Sequence, residues 1–163
     1  MSAWFKTYGF AGVHDRLIVG AFPQDQSDVR MLAMLGVGRV LNLVEDAEYE
    51  KGARRKVERA FAQNEIEEVR LSTVDYGGLS PELLDEATAQ VNAWLDEKEV
   101  VYLHCRAGWQ RSPTIAAAVV SMREDITPDL ALQKIQSMKS TAEPLPHQRD
   151  DLQRWWDGRQ TTA

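Results

Sequence analysis

The plainest chemical capacity in this chain lies in nine consecutive residues. They are His104, Cys105, Arg106, Ala107, Gly108, Trp109, Gln110, Arg111 and Ser112, within VVYLHCRAGWQRSPTIAAAVV. Cys105 is the only cysteine. An apolar run leads into it and a helix led by Pro113 follows, so a strand passes through a short loop to a helix N-terminus. Backbone N–H groups in such a loop converge on a common centre and, with the helix dipole, favour an anion. Gly108 supplies the backbone freedom that a cradle of this kind needs. The same field favours the thiolate of a cysteine at the loop's start. Arg111 adds a planar fork that can hold two phosphoryl oxygens at once, which lysine cannot do. A thiolate facing a bound phosphoryl group is a nucleophile already in place.

Written as a pattern, these residues are H-C-x5-R-S. At background usage the fixed His, Gly, Arg and Ser around a given cysteine coincide on the order of once in 10⁵. The pattern resembles the phosphate-binding loop of the cysteine-dependent protein tyrosine and dual-specificity phosphatases. LIVGAFP, LGVGRVLNL, VDYGG, TPDLALQKI and PLPHQ follow the order seen in the compact dual-specificity members, so the resemblance spans about residues 16–156. Residues 1–15 carry no family signal.

The resemblance implies two chemical steps, formation of a cysteinyl phosphate and its hydrolysis by water. The family's general acid is an aspartate on a mobile loop about thirty residues before the cysteine. Asp75, in STVDYGG, stands 30 positions ahead of Cys105, and Gly77 and Gly78 beside it would let that loop move. Ser112 resembles the hydroxyl that hydrogen-bonds the departing thiolate, a role compatible with capping the next helix. His104 resembles the histidine that organises the loop and is not itself an acid or base. No metal constellation surrounds it, and no cofactor is implied. His14 and His147 read as surface or capping residues, and Trp155 and Trp156 as packing.

Substrate choice falls to Arg106, Trp109 and Gln110. HCRAG and DYGGLSP resemble the branch of the family that acts on inositol lipids and phosphatidylglycerophosphate, including its mitochondrial-type members. Trp109 and Gln110 depart from that branch's small or basic residues and weaken the case for highly phosphorylated inositols. An indole at the rim can stack on a phosphotyrosine ring or touch acyl chains, or it can pack under the loop. A phosphoprotein is the leading expectation, with a phospholipid or inositol phosphate as the alternative. A module that merely captures phosphorylated partners would leave Asp75 without a purpose, and so would a sulfur transferase.

The elements that position these residues follow from periodicity and punctuation. Strands are expected over 16–22, 39–44, 66–72 and 99–104, the last a continuous apolar run of the kind buried on both sides. A helix capped by Ser27 or Asp28 should run to Gly36. The charged stretch 47–64 reads as one solvated helix. Ser80 and Pro81 open a helix to 97, and Leu84, Ala87, Val91 and Leu95 share its face. Further helices are expected from Pro113, from Thr127-Pro128, and after PLPHQ to Trp155-Trp156. Alternation of strands and helices implies an α/β fold of three layers, a mostly parallel sheet of about 4–5 strands flanked by helices.

At 163 residues the chain suits a single domain over 1–163. One cysteine excludes an intramolecular disulfide and a thiolate cluster, and suits a reducing cytoplasm. No signal-peptide pattern opens the chain, and nowhere do about 18 apolar residues run together. The net charge of −6 disfavours non-specific nucleic-acid binding, so an anionic ligand must meet a local basic pocket. A monomer acting on a phosphorylated substrate is the expectation.

Overall fold

A computed structural model describes residues 1–162. In chain order it contains α1 (Ala3–Tyr8), β1 (Phe10–His14), β2 (Leu17–Gly20), α2 (Gln26–Met34) and β3 (Val37–Asn42). A 3-10 turn (Asp46–Glu48), α3 (Ala53–Gln63), β4 (Glu67–Arg70) and α4 (Pro81–Asp96) follow, then β5 (Val100–His104), α5 (Arg111–Glu124), α6 (Pro128–Met138) and α7 (Pro146–Thr162). The five strands form one sheet in the order β1-β2-β5-β3-β4. Only the β1–β2 pair is antiparallel. The expected mostly parallel α/β architecture is therefore present.

The central position of β5 explains its composition. Val101 and Leu103 turn to one face, into a core with Leu84 and Val91 of α4, Ile115 and Val119 of α5, and Leu132 and Ile135 of α6. Tyr102 turns to the other, among Phe5, Val29, Leu32, Val57 and Phe61 from α1, α2 and α3. Both faces being covered, period-two polarity would bury polar groups, and the strand reads as an unbroken apolar run. Tyr102 keeps a hydroxyl there because it donates to the Ala21 carbonyl at 2.5 Å.

Several local expectations need correction. The cap of α2 is Asp25, whose carboxylate accepts from the Asp28 N–H at 3.0 Å. Ser27 and Asp28 lie within the helix. Asp28 is fully buried and accepts from the Ser2 N–H (2.7 Å), the Ser2 hydroxyl (2.5 Å) and the Gln24 N–H (2.8 Å), so it pins α1 to the body. The charged stretch is not one helix from 47. Gly52, with φ +85°, caps α3 at Ala53, and the residues before it form the 3-10 turn and a loop. A left-handed glycine cannot propagate a right-handed helix, and that breaks the run. Helix α5 begins at Arg111, two residues before Pro113, whose missing N–H still falls in the first turn, where no intrahelical acceptor is due. The strand expected over 66–72 is β4 alone. Beyond it the chain continues alongside β3 through Leu71 N–H to Asn42 and Thr73 N–H to Leu43. Residues 1–15, silent in the sequence, supply α1 and the edge strand β1.

Loss of Asp28 and loss of Asp25 should therefore differ. In urea denaturation Asp25→Ala is expected to cost about 1 kcal/mol as a lost helix cap. Asp28→Ala, which strands several donors, is expected to cost about 2–3 kcal/mol.

Candidate active site

The loop from Cys105 to Gln110 leaves the end of β5 and enters α5. Gly108 has φ +77°, and a Cβ there would lie 2.6 Å from the Gly20 carbonyl carbon, so the loop rests directly on the end of β2. The loop's carbonyls are held from outside. Arg106 O accepts from the Phe22 N–H (3.1 Å) and the Trp4 indole (2.8 Å), and Trp109 O from the Glu143 N–H (2.6 Å). Among the described residues no protein group accepts from the N–H groups of Arg106 to Ser112. That is the cradle expected of an anion site.

Arg111 is 1% exposed, and its donors are almost wholly committed. Nη1 donates to the Thr73 carbonyl (2.8 Å), the Leu43 carbonyl (3.3 Å) and Glu48 Oε2 (3.0 Å). Nη2 donates to Glu48 Oε1 (2.7 Å) and lies 3.1 Å from Asp75 Oδ1. Nε is buried without a partner. Burial alone would lower the guanidinium's pKa, but the Glu48 hydrogen bond, Cys105, and the Glu48 and Asp75 carboxylates leave it raised. The donors left for a ligand are Nε and the second Nη2 hydrogen, an adjacent pair suited to two oxygens of one phosphoryl group.

Glu48 was hidden in the sequence. It sits in the charged stretch read as solvated, yet its side chain is only 9% exposed. The one signal was Gly52, which breaks the helix and frees the preceding residues to turn inward. Lys139 was missed too. It is buried, its ammonium donates to the Thr141 hydroxyl at 2.7 Å, and burial lowers its pKa against the upward pull of Cys105.

Cys105 is 3% exposed, with Sγ 3.2 Å from the Ser112 hydroxyl, which is itself buried. The cavity over it, about 150 Å³, is lined by Arg106, Ala107, Gln110 and Arg111, by Asp75 and Tyr76 across from them, and by Trp4, Tyr8 and Trp109. The cavity thus brings Asp75 together with Cys105, Arg106, Ala107, Gln110 and Arg111. Trp109 does not pack under the loop. It is 41% exposed and meets the Tyr8 ring edge-on at 5.5 Å. Arg106 is exposed and lies over the Trp4 ring at 5.1 Å. Trp4 and Tyr8 come from α1, a hundred residues away in sequence, and no spacing rule could have named them. Among the described residues no group of three or more His, Cys, Asp or Glu is placed to hold a metal ion.

Residues 13–152 match the family model described as the Swiss Army Knife protein, DSP-PTPase phosphatase domain. The chain belongs to this phosphatase family. It is 28% identical over 138 residues to the mouse phosphatidylglycerophosphatase and protein-tyrosine phosphatase 1, covering 83% of this chain and 70% of that protein. Similarity to the Arabidopsis thaliana phosphatidylglycerophosphate phosphatase PTPMT2 is 30% over 141 residues, covering 84% and 58%. In fold it resembles PTPMT1 in complex with PI(5)P, with a TM-score of 0.81, 22% identity, and 94% and 97% of the two chains covered. Human DUSP28 gives 0.75, 19%, 94% and 99%. The phosphatase is of the cysteine-dependent kind, and Cys105 is its one cysteine.

In this phosphatase His104 is completely buried, and its Nδ1 lies 3.1 Å from the Cys105 carbonyl. A carbonyl only accepts, so Nδ1 carries the proton. Burial pushes the imidazole down from 6.5 to about 4, against smaller upward pulls from Glu68 and that carbonyl. The ring is neutral at neutral pH and braces the loop rather than moving protons. The unfolded imidazole takes a proton near 6.5 and the folded one only near 4, so this contribution is complete above the higher value. It is lost as pH falls between them. With Cys105→Ser as the background, stability should drop by about 2 kcal/mol more from about pH 7 to pH 5 than when His104→Asn is added. Coincident curves would show that His104 is charged in the folded protein.

Proposed function

We propose that Cys105 forms a cysteinyl phosphate with a phosphomonoester and that water then hydrolyses it, with Asp75 as acid and base. The observation that carries this reading is the unpartnered Arg111 Nε beside a loop of unpaired N–H groups, with Cys105 Sγ in the same cavity. The phosphoryl group takes Nε and Nη2, displacing the Asp75 carboxylate that pairs with Nη2. Displaced and protonated, Asp75 faces the leaving oxygen. Sγ attacks phosphorus, the P–O bond breaks, and the Asp75 proton passes to the leaving alcohol. Water next attacks phosphorus and gives its proton to the Asp75 carboxylate, while the S–P bond breaks and the Ser112 hydroxyl donates to the departing thiolate. Glu48 holds the Arg111 fork in plane throughout.

The aromatic wall of Trp4, Tyr8 and Trp109 suits an aryl ester, which supports a protein phosphatase of dual specificity. A phospholipid monoester is the second reading. Tyr76 and Trp109, which line the cavity, are 64% and 41% exposed, apolar surface that acyl chains or a lipid interface would cover. Names of the relatives, which include phosphatidylglycerophosphatase and protein-tyrosine phosphatase together, accommodate both.

Cys105→Ser should abolish vanadate-sensitive hydrolysis of para-nitrophenyl phosphate, and surviving activity would refute the nucleophile. Asp75→Asn should lower kcat for alkyl phosphates by about 10²–10⁴-fold and much less for activated aryl phosphates. Equal losses would remove Asp75 from the acid role. The two substrate readings separate on kcat/KM for phosphotyrosine peptides against phosphatidylglycerophosphate in mixed micelles. A large excess for the peptide removes the lipid reading, and the reverse removes the protein one.

A further inference from the structure

Residues 143–151, the approach to α7 and its first turns, touch both loops of the site. On one side the Glu143 N–H donates to the Trp109 carbonyl at 2.6 Å, in the loop that carries Cys105. On the other, three side chains bond to the backbone just beyond Asp75. The His147 ring donates from Nε2 to the Tyr76 carbonyl at 2.8 Å. Gln148 Nε2 donates to the Gly77 carbonyl at 3.0 Å. Asp151 Oδ2 accepts from the Leu79 N–H at 2.8 Å. Gln148 is fully buried, and its other amide atom accepts from the Leu145 N–H at 3.0 Å, so one side chain caps the entry to α7 and reaches the acid loop.

The loop's own backbone is shaped to this contact. Tyr76 sits at φ +62°, a conformation costly for a residue with a Cβ and retained only where surroundings enforce it. A Cβ on Gly78 would lie 3.0 Å from Asp151 Oδ2, so glycine there allows α7 to come close. Within the loop the backbone makes one turn bond, Gly77 N–H to Val74 O at 2.9 Å. At its start the loop is held through Thr73, whose N–H donates to the Leu43 carbonyl and whose carbonyl accepts from Arg111 Nη1. The Asp75 side chain is held by its ion pair with Arg111 at 3.1 Å, which a phosphoryl group on Arg111 would break.

We propose that residues 143–151 form a brace that holds Asp75 over the Cys105 loop while substrate is bound, with Gln148 as the principal positioning residue and His147 and Asp151 beside it. This rests on Asp75 being the general acid. None of the three touches the reacting atoms. They act by keeping the Asp75 backbone in register once Arg111 has let its carboxylate go, and placement to within a fraction of an ångström governs the rate of proton transfer.

The test compares kcat on phenyl phosphate, a poor leaving group, with kcat on para-nitrophenyl phosphate, a good one. Gln148→Met and His147→Ala should each lower kcat by about tenfold or more on the first and by less than about threefold on the second. Asp151→Ala should do the same. Asp151→Asn, which keeps an acceptor for the Leu79 N–H, should restore most of the loss. Added to Asp75→Asn, the Gln148 and His147 changes should have little further effect, because residues acting through one group are not additive. Equal losses on both esters, no loss, or full additivity with Asp75→Asn would overturn the brace. His147 is exposed, so its substitution decides the matter even if the buried Gln148 variant does not fold. A lack of leaving-group dependence in Asp75→Asn itself would bring down the acid and the brace together. Selectivity in Asp75→Asn without it in the α7 variants would bring down the brace alone.

Discussion

A guanidinium with 1% of its surface exposed must find an acceptor for nearly every N–H it carries, and the site is organised around meeting that demand for Arg111. An unpaired buried cation costs several kcal/mol, whereas one met by a carboxylate and carbonyls is tolerable and, more usefully, aimed. The acceptors come from two connections: Leu43 and Glu48 between β3 and α3, and Thr73 after β4, where Asp75 adds an ion pair. Each connection is thereby tied to the loop after β5. The donors left over are the ones that the proposed mechanism gives to a phosphoryl group.

The sheet makes these meetings possible. With β5 between β2 and β3, and all three parallel, the chain leaves their carboxyl ends along one edge. Ligand sites in open α/β sheets lie there because several loops can converge without crossing the core. Backbone touches backbone at that edge, Gly108 against Gly20, which fixes the loop's height above the sheet. Helix α1 closes one side of the cavity and the start of α7 reaches the other, although the two segments lie near opposite ends of the sequence.

What could be read beforehand divides along the range of the interaction. Cys105, Arg111 and Ser112 are near neighbours in the chain, and a strand, a loop and a helix end suffice to relate them. Asp75 needed the family spacing, since an aspartate in a turn has no local mark of function. Glu48 was obscured because a charge run looks alike whether one carboxylate turns inward or none does, and only the buried guanidinium opposite distinguishes it. Trp4, Tyr8, His147 and Gln148 depend on packing between distant segments, and periodicity carries no information about which helix end will lie beside which loop. The same limit shifted the cap of α2 to Asp25, since the carboxylate at 28 was claimed by Ser2 rather than by its own helix.

The Asp75–Arg111 contact also bears on how a turnover ends. Inorganic phosphate, the last occupant, would sit on the same Arg111 Nη2 that pairs with Asp75 at 3.1 Å. A tethered carboxylate is an intramolecular rival at high effective concentration, and it needs no diffusion to compete. On the proposed mechanism Asp75 ends the hydrolysis protonated, so it would have to release that proton before its carboxylate could replace phosphate on Arg111. Once ionised again, the protein's own side chain would compete for Arg111, so the strong electrostatics proposed to bind the ester need not become a trap for what remains of it.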